Sequence, residues 1–300
     1  MSDGDGGDVR THVRRREYAA VVASLLFLAV MLTLAWRTID HDSDQQEHAP
    51  GPGEASTSSS PSASASTWRY DPVAAPPVTA GQLAALPEAT TDTSIPAAPV
   101  DTDRAAGTDG AVVHNYTTVA VYDAPGGTAF ARLPPTQAGS ATWLPVIARQ
   151  PGWVRVLLPN RPNGASGWLD ATRLDLARTP YEIRASVTAR RITLWHNGQP
   201  AGQWPVAVGA TSTPTPTGRT FVLASITDPT QPYSPVILPL GTHSTTLATY
   251  HGGPATTALH TWPDDSVYGH AVSNGCLRIP PDALTALRRV PLGTLVRIDP

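Results

Sequence analysis

One cysteine and a histidine upstream of it are the residues in this chain best suited to covalent chemistry. Cys276 is the single cysteine among 300 residues, and His260 lies sixteen positions before it. A thiol with an imidazole beside it is sufficient for nucleophilic acyl transfer. An extended segment of that length would span roughly 50 Å, so contact requires the chain to fold back. Gly269 and the cluster Pro263–Asp265 supply turn residues, and Gly275 gives the backbone freedom to present the thiol.

Each of these groups also has an ordinary alternative role. An unperturbed thiol has a pKa of about 8.5 and needs help to ionise near neutral pH. An imidazole can accept that proton and return it to a leaving amine. A free cysteine can equally be a small buried hydrophobic residue or form an intermolecular disulfide. Three further histidines compete for the role of base: His243, His251 and His270.

The composition excludes several classes of site. All 21 basic residues are arginine, so the chain has no lysine for a Ser-x-x-Lys acyl-enzyme, a Walker motif or a Schiff base. One cysteine excludes an internal disulfide and a multi-cysteine zinc site. A formal charge of −3 gives no reason to expect a nucleic-acid partner. Asp264 and Asp265 beside His260 and His270 match no known metal spacing, so we expect a turn there and no metal or other cofactor.

Two separated motifs carry a resemblance to a known family. The segment Ser273–Arg278 reads Ser-Asn-Gly-Cys-Leu-Arg after a histidine at a strand end, and upstream Val208-Gly209 precedes the run Thr213–Arg219. In this order the motifs resemble those of L,D-transpeptidases with a YkuD-type catalytic domain. The resemblance covers Tyr181–Pro300.

Residues 179–300 are accordingly predicted to form a β-rich catalytic domain. Alternating apolar residues predict strands that include Thr245–Tyr250 and Thr257–His260, and Asn197-Gly198 predicts a hairpin turn. Only Pro281–Arg289 reads as a helix, because proline stands near its start and arginines lie in its last turn.

The resemblance implies roles for individual residues. Cys276 would be the nucleophile and His260 the general base. Thr261 would fix the imidazole tautomer through its hydroxyl or its backbone carbonyl, or would be an ordinary strand-end residue. Arg278 would hold a substrate carboxylate or brace the loop. Further substrate-binding residues would be Ser273, Asn274, Gly275 and Tyr250.

The chain departs from the usual family pattern in two places. Asn274 stands where many members have His, so no second imidazole can tune the thiol there, and Thr261 stands where many have Gly. Backbone N–H groups around Gly275 and Cys276 would still form the oxyanion site, because peptide donors need no side chain. The irregular segment Tyr233–Ser244 falls where the family places a lid over the acceptor side, although it can equally be a connecting loop.

The amino-terminal part predicts a membrane anchor. Residues 1–17 form a tail rich in arginine near its end, and the apolar run Tyr18–Trp36 is close to the ~20 residues that span a bilayer. Arginines before the run and aspartates after it place the tail in the cytoplasm and the rest outside. A cleaved signal peptide is the alternative, but no A-x-A-like site closes the run.

Two further segments precede the catalytic domain. Residues 37–110 are rich in Pro, Ser, Ala and Thr, so we expect a disordered linker that acts as a plain extended spacer. Trp68–Tyr70 and Gln82–Leu86 could instead pack on a later domain. Residues 111–178 contain short β-type runs between turns, which predict a small β-barrel and resemble a bacterial SH3-like module. Three tryptophans there would be core residues, the preferred interpretation, or a ligand groove: Trp143, Trp153 and Trp168.

The sequence therefore predicts a mainly β protein held by a single helix in the plasma membrane, with its catalytic domain on the cell-wall side. By resemblance it is a monomeric, cysteine-dependent L,D-transpeptidase that acts on peptidoglycan stem peptides. It would form 3→3 cross-links through a cysteine acyl-enzyme. The alternatives are an L,D-carboxypeptidase with water as acceptor, a non-catalytic cell-wall-binding protein, and a thiol redox or metal site.

Overall fold

The computed structural model describes residues 71–230 and 232–300, which belong to one compact unit, Thr67–Pro300. Strands dominate this part of the chain and the helices are short, in agreement with the mainly β prediction. The predicted anchor Tyr18–Trp36 and the tail before it lie outside the described residues. Within the described ranges, no helix has the length and apolarity needed to cross a membrane.

The secondary-structure elements are numbered here in chain order. The strands are β1 Ala111–His114, β2 Val119–Tyr122, β3 Ala129–Leu133, β4 Thr136–Gln137, β5 Ser140–Ala141, β6 Trp143–Gln150, β7 Trp153–Leu157, β8 Ser166–Asp170, β9 Asp175–Arg178, β10 Tyr181–Ser186, β11 Arg191–His196, β12 Gln199–Pro205, β13 Val208–Gly209, β14 Gly218–Phe221, β15 Leu238–His243, β16 Thr256–His260, β17 Ala271–Ser273, β18 Leu277–Arg278 and β19 Leu295–Asp299. The α-helices are α1 Ala80–Ala85 and α2 Pro281–Leu287, and 3₁₀ turns lie at Ala171–Arg173 and Asp265–Val267.

The first β region is a seven-stranded sheet with the order β3-β2-β8-β7-β6-β1-β9. Its neighbouring strands all pair antiparallel: short turns join β2 to β3 and β6 to β7, whereas β1 pairs with the distant β6 and β9. Gly152, for example, adopts φ 78° in the turn between β6 and β7, a conformation that glycine adopts without strain. Trp153 is buried, which agrees with its predicted core role, whereas Trp143 and Trp168 are half-buried. The SH3-like classification of this region stays a prediction.

The plain-spacer prediction is wrong for residues 71–110, because this segment folds against the first sheet. Its residues Ala89, Ile95 and Ala98 are buried in the core of that sheet. The indole N–H of Trp153 donates to the carbonyl of Val73 at 2.7 Å. A segment too poor in apolar groups to fold alone can therefore still be ordered, because its few apolar side chains add to a core that already exists.

The second β region holds the two motifs. A five-stranded sheet has the order β12-β11-β10-β19-β14, and a three-stranded sheet has the order β15-β16-β18. The predicted hairpin joins β11 to β12, with Asn197 at φ 50° and Gly198 at φ 73°, as expected for a turn with two left-handed residues. Helix α2 buries Ala283, Leu284 and Leu287 in the core between these elements.

Two predictions about the segment before the catalytic histidine need correction. Residues 238–243 of the proposed lid form β15, which pairs antiparallel with β16 and whose six residues are all buried. The predicted strand Thr245–Tyr250 is not a strand; it belongs to an irregular segment between β15 and β16. The irregular stretches therefore flank β15 rather than include it.

A buried ion pair connects the segment 71–110 to the second β region. Nε and Nη2 of Arg219, in β14, donate to the two carboxylate oxygens of Asp101 at 2.8 and 2.7 Å. The side chains are only 4% and 6% exposed. Parallel N–H···O bonds of this kind fix both distance and orientation, so Arg219 of the upstream motif has a structural partner.

Removing Arg219 alone is expected to destabilise the protein because the buried carboxylate of Asp101 loses its counter-charge. The variant Arg219→Met should lower the free energy of unfolding by about 3–5 kcal/mol, measured by urea denaturation. Arg149→Met is the matched control, since Arg149 forms an exposed ion pair and should cost less than about 1 kcal/mol.

The double variant Arg219→Met with Asp101→Leu distinguishes charge burial from lost packing. It should recover most of the stability, because neither charge is then left unpaired. A double variant no more stable than Arg219→Met would contradict this account.

Candidate active site

Cys276 and His260 line the same cavity, of about 220 Å³. Its walls come from the three-stranded sheet, from residues before β15 and from the irregular segment between β15 and β16. The complete lining is Tyr233, Ile237, Leu247, Tyr250, His251, Ala255, Thr256, Thr257, Ala258, His260, Trp262, Asn274, Cys276 and Arg278. The fold therefore brings together a nucleophile, a base and a cation in one concave site.

Strand pairing explains why the thiol and the imidazole line the same cavity. β16 runs parallel to β18, and His260 is the register partner of Arg278. Cys276 directly precedes β18, and the alternation of side chains along a strand predicts that it shares the face of that pair, as does Ala258 on β16. The spacing between strands and along them puts the Cα atoms of His260 and Cys276 roughly 8 Å apart, a gap that an imidazole and a thiol can close.

The loop before the cysteine is held by its own serine. The hydroxyl of Ser273 donates to the carbonyl of Cys276 at 2.6 Å and accepts from the N–H of Gly275 at 3.1 Å. Gly275 itself has φ 111°, which an L-residue rarely adopts. Both residues are buried and shape the loop through these contacts, and the substrate contacts expected for them stay a prediction.

The upstream motif supports this loop from below. The hydroxyl of Thr215, which is buried, donates to the carbonyl of Gly275 at 3.0 Å and accepts from the N–H of Gly209 at 2.8 Å. The hydroxyl of Thr213 donates to the carbonyl of Ser273 at 2.9 Å. The two motifs that are separated in sequence thus form one hydrogen-bonded unit under Cys276.

The imidazole of His260 is held in one tautomer. Its Nδ1 lies 2.8 Å from the carbonyl oxygen of Thr261. Because a carbonyl can only accept, Nδ1 carries the hydrogen in the neutral ring and Nε2 keeps its lone pair. The hydroxyl of Thr261 donates to the carbonyl of Tyr233 at 2.7 Å. Of the two groups expected to orient the ring, the backbone carbonyl is the one in contact.

The electrostatics favour a neutral thiol and a neutral imidazole. Burial lowers the pKa of His260 to about 4; the hydrogen bond to Thr261 opposes this, and the charge of Arg278 adds to it. Burial raises the pKa of Cys276, because protein atoms enclose the sulfur even though the residue keeps partial exposure. A hydrogen bond from the Ala258 backbone and the charge of Arg278 offset only part of that rise. At neutral pH both groups are therefore uncharged: the imidazole has a free lone pair that can accept a proton, and the thiol still carries its proton.

Arg278 and Trp262 form the cationic end of the cavity. The guanidinium carbon of Arg278 lies 3.5 Å from the centroid of a Trp262 ring, a cation–π arrangement. Its Nε is buried without a hydrogen-bond partner. Tyr233 packs edge-on to His260, with ring centroids 5.2 Å apart. Sequence reasoning did not single out Trp262 or Tyr233 as site residues, and the only available signal for Trp262 was its position two residues after His260.

The remaining predicted residues have diverse surroundings. Asn274 and Tyr250 both line the cavity, and the Asn274 amide donates to the Tyr250 hydroxyl at 3.3 Å. The Gly275 N–H is engaged by Ser273, which leaves the Cys276 N–H as the remaining donor of the expected oxyanion pair. The side chain of Asp264 accepts from the N–H of Ser266 at the start of a 3₁₀ turn, the turn role predicted for it.

The competing histidines lie in other environments. His243 is buried with Nε2 2.9 Å from the carbonyl of Thr91, and it does not line the cavity. His251 lines the outer part of the cavity on an exposed turn, and His270 is exposed. Among the described histidines, His260 is thus the one that is buried, held in a base-competent tautomer and part of the cavity that Cys276 lines.

These features define a cysteine acyl-transfer site on a mainly β fold, and sequence comparison identifies the family. A family model for the L,D-transpeptidase catalytic domain matches residues 180–298. The YkuD protein of Bacillus subtilis (strain 168), named as an L,D-transpeptidase, is 31% identical over 121 residues, which is 40% of this chain and 66% of that protein. Its counterpart in Bacillus licheniformis is 31% identical over 122 residues, or 40% of this chain and 67% of that protein. The chain belongs to the YkuD family of L,D-transpeptidase catalytic domains.

Solved structures of L,D-transpeptidases are also similar. One from Mycobacterium smegmatis has a TM-score of 0.35 and 16% identity, and the match covers 52% of this chain and 93% of that one. One from Mycobacterium tuberculosis H37Rv has a TM-score of 0.34 and 18% identity, and the match covers 47% of this chain and 74% of that one. The family assignment rests on the sequence matches.

The thiol of Cys276 is expected to stay protonated at pH 7, because burial raises its pKa. Absorbance at 240 nm, read as the difference between the wild-type chain and Cys276→Ser, should show no thiolate at pH 7. As the pH is increased, this difference in absorbance should rise with a midpoint at a higher pH than that of a cysteine peptide titrated in parallel. A thiolate signal already present at pH 7 would show an ion pair with His260 and contradict the neutral couple.

Proposed function

We propose that this protein is a peptidoglycan L,D-transpeptidase that forms 3→3 cross-links through a thioester on Cys276. The observation that carries the proposal is the placement of Cys276, His260 and Arg278 on one face of the β16–β18 pair, in one cavity. Membership of the family supplies the reaction class. Each residue of the site can be given a role in this reaction.

The first half-reaction forms the acyl-enzyme. Nε2 of His260 takes the thiol proton as the sulfur of Cys276 attacks the carbonyl between an L-centre and the terminal D-alanine of a tetrapeptide stem. The tetrahedral oxyanion would be stabilised by the Cys276 N–H. Collapse breaks the peptide bond, and the imidazolium returns the proton to the departing amine. Because the pKa of His260 is low, its protonated ring is a strong acid and readily donates a proton to the departing amine.

The second half-reaction transfers the acyl group. The side-chain amine of a neighbouring stem attacks the thioester, His260 accepts a proton from that amine, and the thiol is restored with a proton. The new amide joins two stems in a 3→3 cross-link. Aromatic and aliphatic side chains on the cavity wall, such as Tyr233, Trp262 and Leu247, exclude water and so favour an amine over hydrolysis.

Arg278 would recognise a carboxylate of the donor stem. Its guanidinium faces the cavity, and no carboxylate of the described residues lies within ion-pair distance of it. Its buried Nε also lacks a partner. A buried donor without a partner costs free energy that a bound anion can recover, and arginine matches a carboxylate with two parallel hydrogen bonds.

The location of the reaction is part of the proposal. The apolar run Tyr18–Trp36 and the arginines before it support a single helix in the plasma membrane, with the catalytic cavity on the cell-wall side. We place residues 111–178 in the SH3-like class on the basis of their short antiparallel strands. The chain is proposed to act as a monomer.

The activity is expected to depend on Cys276. The full-length chain, incubated with a stem tetrapeptide, should release D-alanine and yield cross-linked dimers by mass spectrometry. A carbapenem should form a covalent adduct that maps to Cys276, because its strained amide is a carbonyl electrophile for the same thiol. Cys276→Ser should lose the adduct and at least about 1,000-fold of the D-alanine release, since the residue forms the intermediate.

The alternatives give different products. Tripeptide without dimer would identify an L,D-carboxypeptidase. Unchanged D-alanine release and cell-wall binding in Cys276→Ser would favour a non-catalytic role for this residue and overturn the proposal.

A further inference from the structure

One wall of the catalytic cavity is an irregular loop, residues 244–255, which we call the groove loop. Leu247, Tyr250, His251 and Ala255 of this loop line the cavity. Tyr250 contacts the side chain of Asn274, two residues before the nucleophile. The position of the groove loop therefore sets the width of the cavity above Cys276.

The internal hydrogen bonds of the groove loop lie at its two ends. The N–H of Ser244 donates to the carbonyl of Ala255 at its base, where the Ser244 hydroxyl also accepts from the N–H groups of Thr246 and Leu247, and Tyr250 and Gly253 exchange two backbone hydrogen bonds at its tip. Most residues between these two points are exposed. An exposed loop without regular secondary structure belongs to the part of a protein that opens most easily.

The carbonyl groups of the groove loop converge instead on one arginine from the first β region. Nη1 of Arg161 donates to the carbonyl of Ser244 at 3.1 Å. Its Nη2 lies 3.2 Å from the carbonyl of Leu247, 3.4 Å from that of Ala248 and 2.9 Å from that of Pro254. The guanidinium thus reaches both arms of the loop at once, an arrangement that suits a planar group with several fixed donors.

The backbone of Arg161 is itself fixed by the segment that precedes the first sheet. Its N–H donates to the carbonyl of Thr93 at 3.0 Å, and its carbonyl accepts from the N–H of Ile95 at 2.9 Å. Two residues further on, the side chain of Asn163 exchanges two hydrogen bonds with the backbone of His243, at 2.7 and 2.9 Å. The residue before the groove loop is therefore held by the same short stretch of chain.

We propose that Arg161 is a positioning residue for the transpeptidase reaction, through which the first β region holds the groove loop at the distance that binds the donor stem. The inference rests on the proposed function for its catalytic consequence. Arg161 does not line the cavity, so it acts on substrate only through Leu247, Tyr250 and their neighbours. The first β region then positions one wall of the catalytic cavity, and this role requires no ligand of its own.

Steady-state kinetics and hydrogen exchange on the full-length chain test this proposal. Arg161→Ala should raise KM for D-alanine release from the tetrapeptide by roughly 10-fold while kcat changes less than about 2-fold, because it loosens a binding wall and leaves Cys276 and His260 in place. Amide exchange at residues 246–253 should become at least about 10-fold faster, with β16 and β18 unchanged. KM and the exchange rate of Arg161→Lys should lie between those of the wild-type chain and Arg161→Ala, since one ammonium cannot reach both arms of the loop.

Arg155→Ala is the matched control. Arg155 lies in β7, six residues before Arg161, and donates to Ser166 Oγ and the carbonyl of Val100, with no hydrogen bond to the groove loop among the described residues. It should leave KM and exchange at residues 246–253 unchanged. In the background Tyr250→Phe, which removes the hydroxyl that meets Asn274, Arg161→Ala should raise KM by less than it does alone, because both changes act through one wall.

Equal changes in Arg161→Ala and Arg155→Ala, or faster exchange spread evenly over the catalytic domain, would reduce Arg161 to a general stabilising residue and overturn the proposal. Unchanged KM with faster loop exchange would overturn its catalytic part. If the wild-type chain releases no D-alanine, the proposed function is wrong. The hydrogen-exchange measurement would then still decide whether Arg161 holds the groove loop.

Discussion

The parallel pairing of β16 with β18 is the constraint on which the active site depends. It makes His260 the register partner of Arg278 and so places the imidazole, the guanidinium and the thiol of Cys276 on one face. A shift of one residue would turn one of the two strands to the opposite face. The rest of the second β region maintains this register: Thr213 and Thr215 bind the loop before Cys276 from below, and Leu259 and Leu277 are buried in the core on the other face of the same strands.

Burial gives the site its chemical character. The enclosed position of Cys276 raises its pKa and that of His260 lowers its pKa to about 4, so both groups rest uncharged. Such a couple differs from a thiolate–imidazolium pair in its timing, because the proton moves as the sulfur attacks rather than beforehand. The Thr261 carbonyl keeps the Nε2 lone pair available throughout.

The segment 71–110 links the two β regions into one compact unit. It adds Ala89, Ile95 and Ala98 to the first core, and its Asp101 forms a buried ion pair with Arg219 of the second region. Through Thr93 and Ile95 it also fixes the backbone of Arg161, whose side chain binds the groove loop. A stretch that resembles a spacer in composition thus takes part in the support of the cavity. Each of these three contacts is local, and they are linked because the same segment makes all of them.

The sequence by itself determined the mainly β class, the Asn197-Gly198 hairpin, helix α2 and the identities of Cys276 and His260, because each depends on local propensity or on residues close together in a motif. Only the tertiary structure decided which groups surround them. Trp262 under Arg278, Tyr233 against His260, and Arg161 on the groove loop are contacts between segments far apart in sequence or at angles that no spacing encodes. The ordered structure of residues 71–110 was likewise not predictable. A segment with few, small apolar side chains is disordered in isolation and becomes ordered only when another surface buries those side chains. Strand predictions failed where context overrides propensity: Leu238–His243 is a buried strand paired with β16, and Thr245–Tyr250 is an exposed loop in which the carbonyls of Leu247 and Ala248 bind a distant arginine.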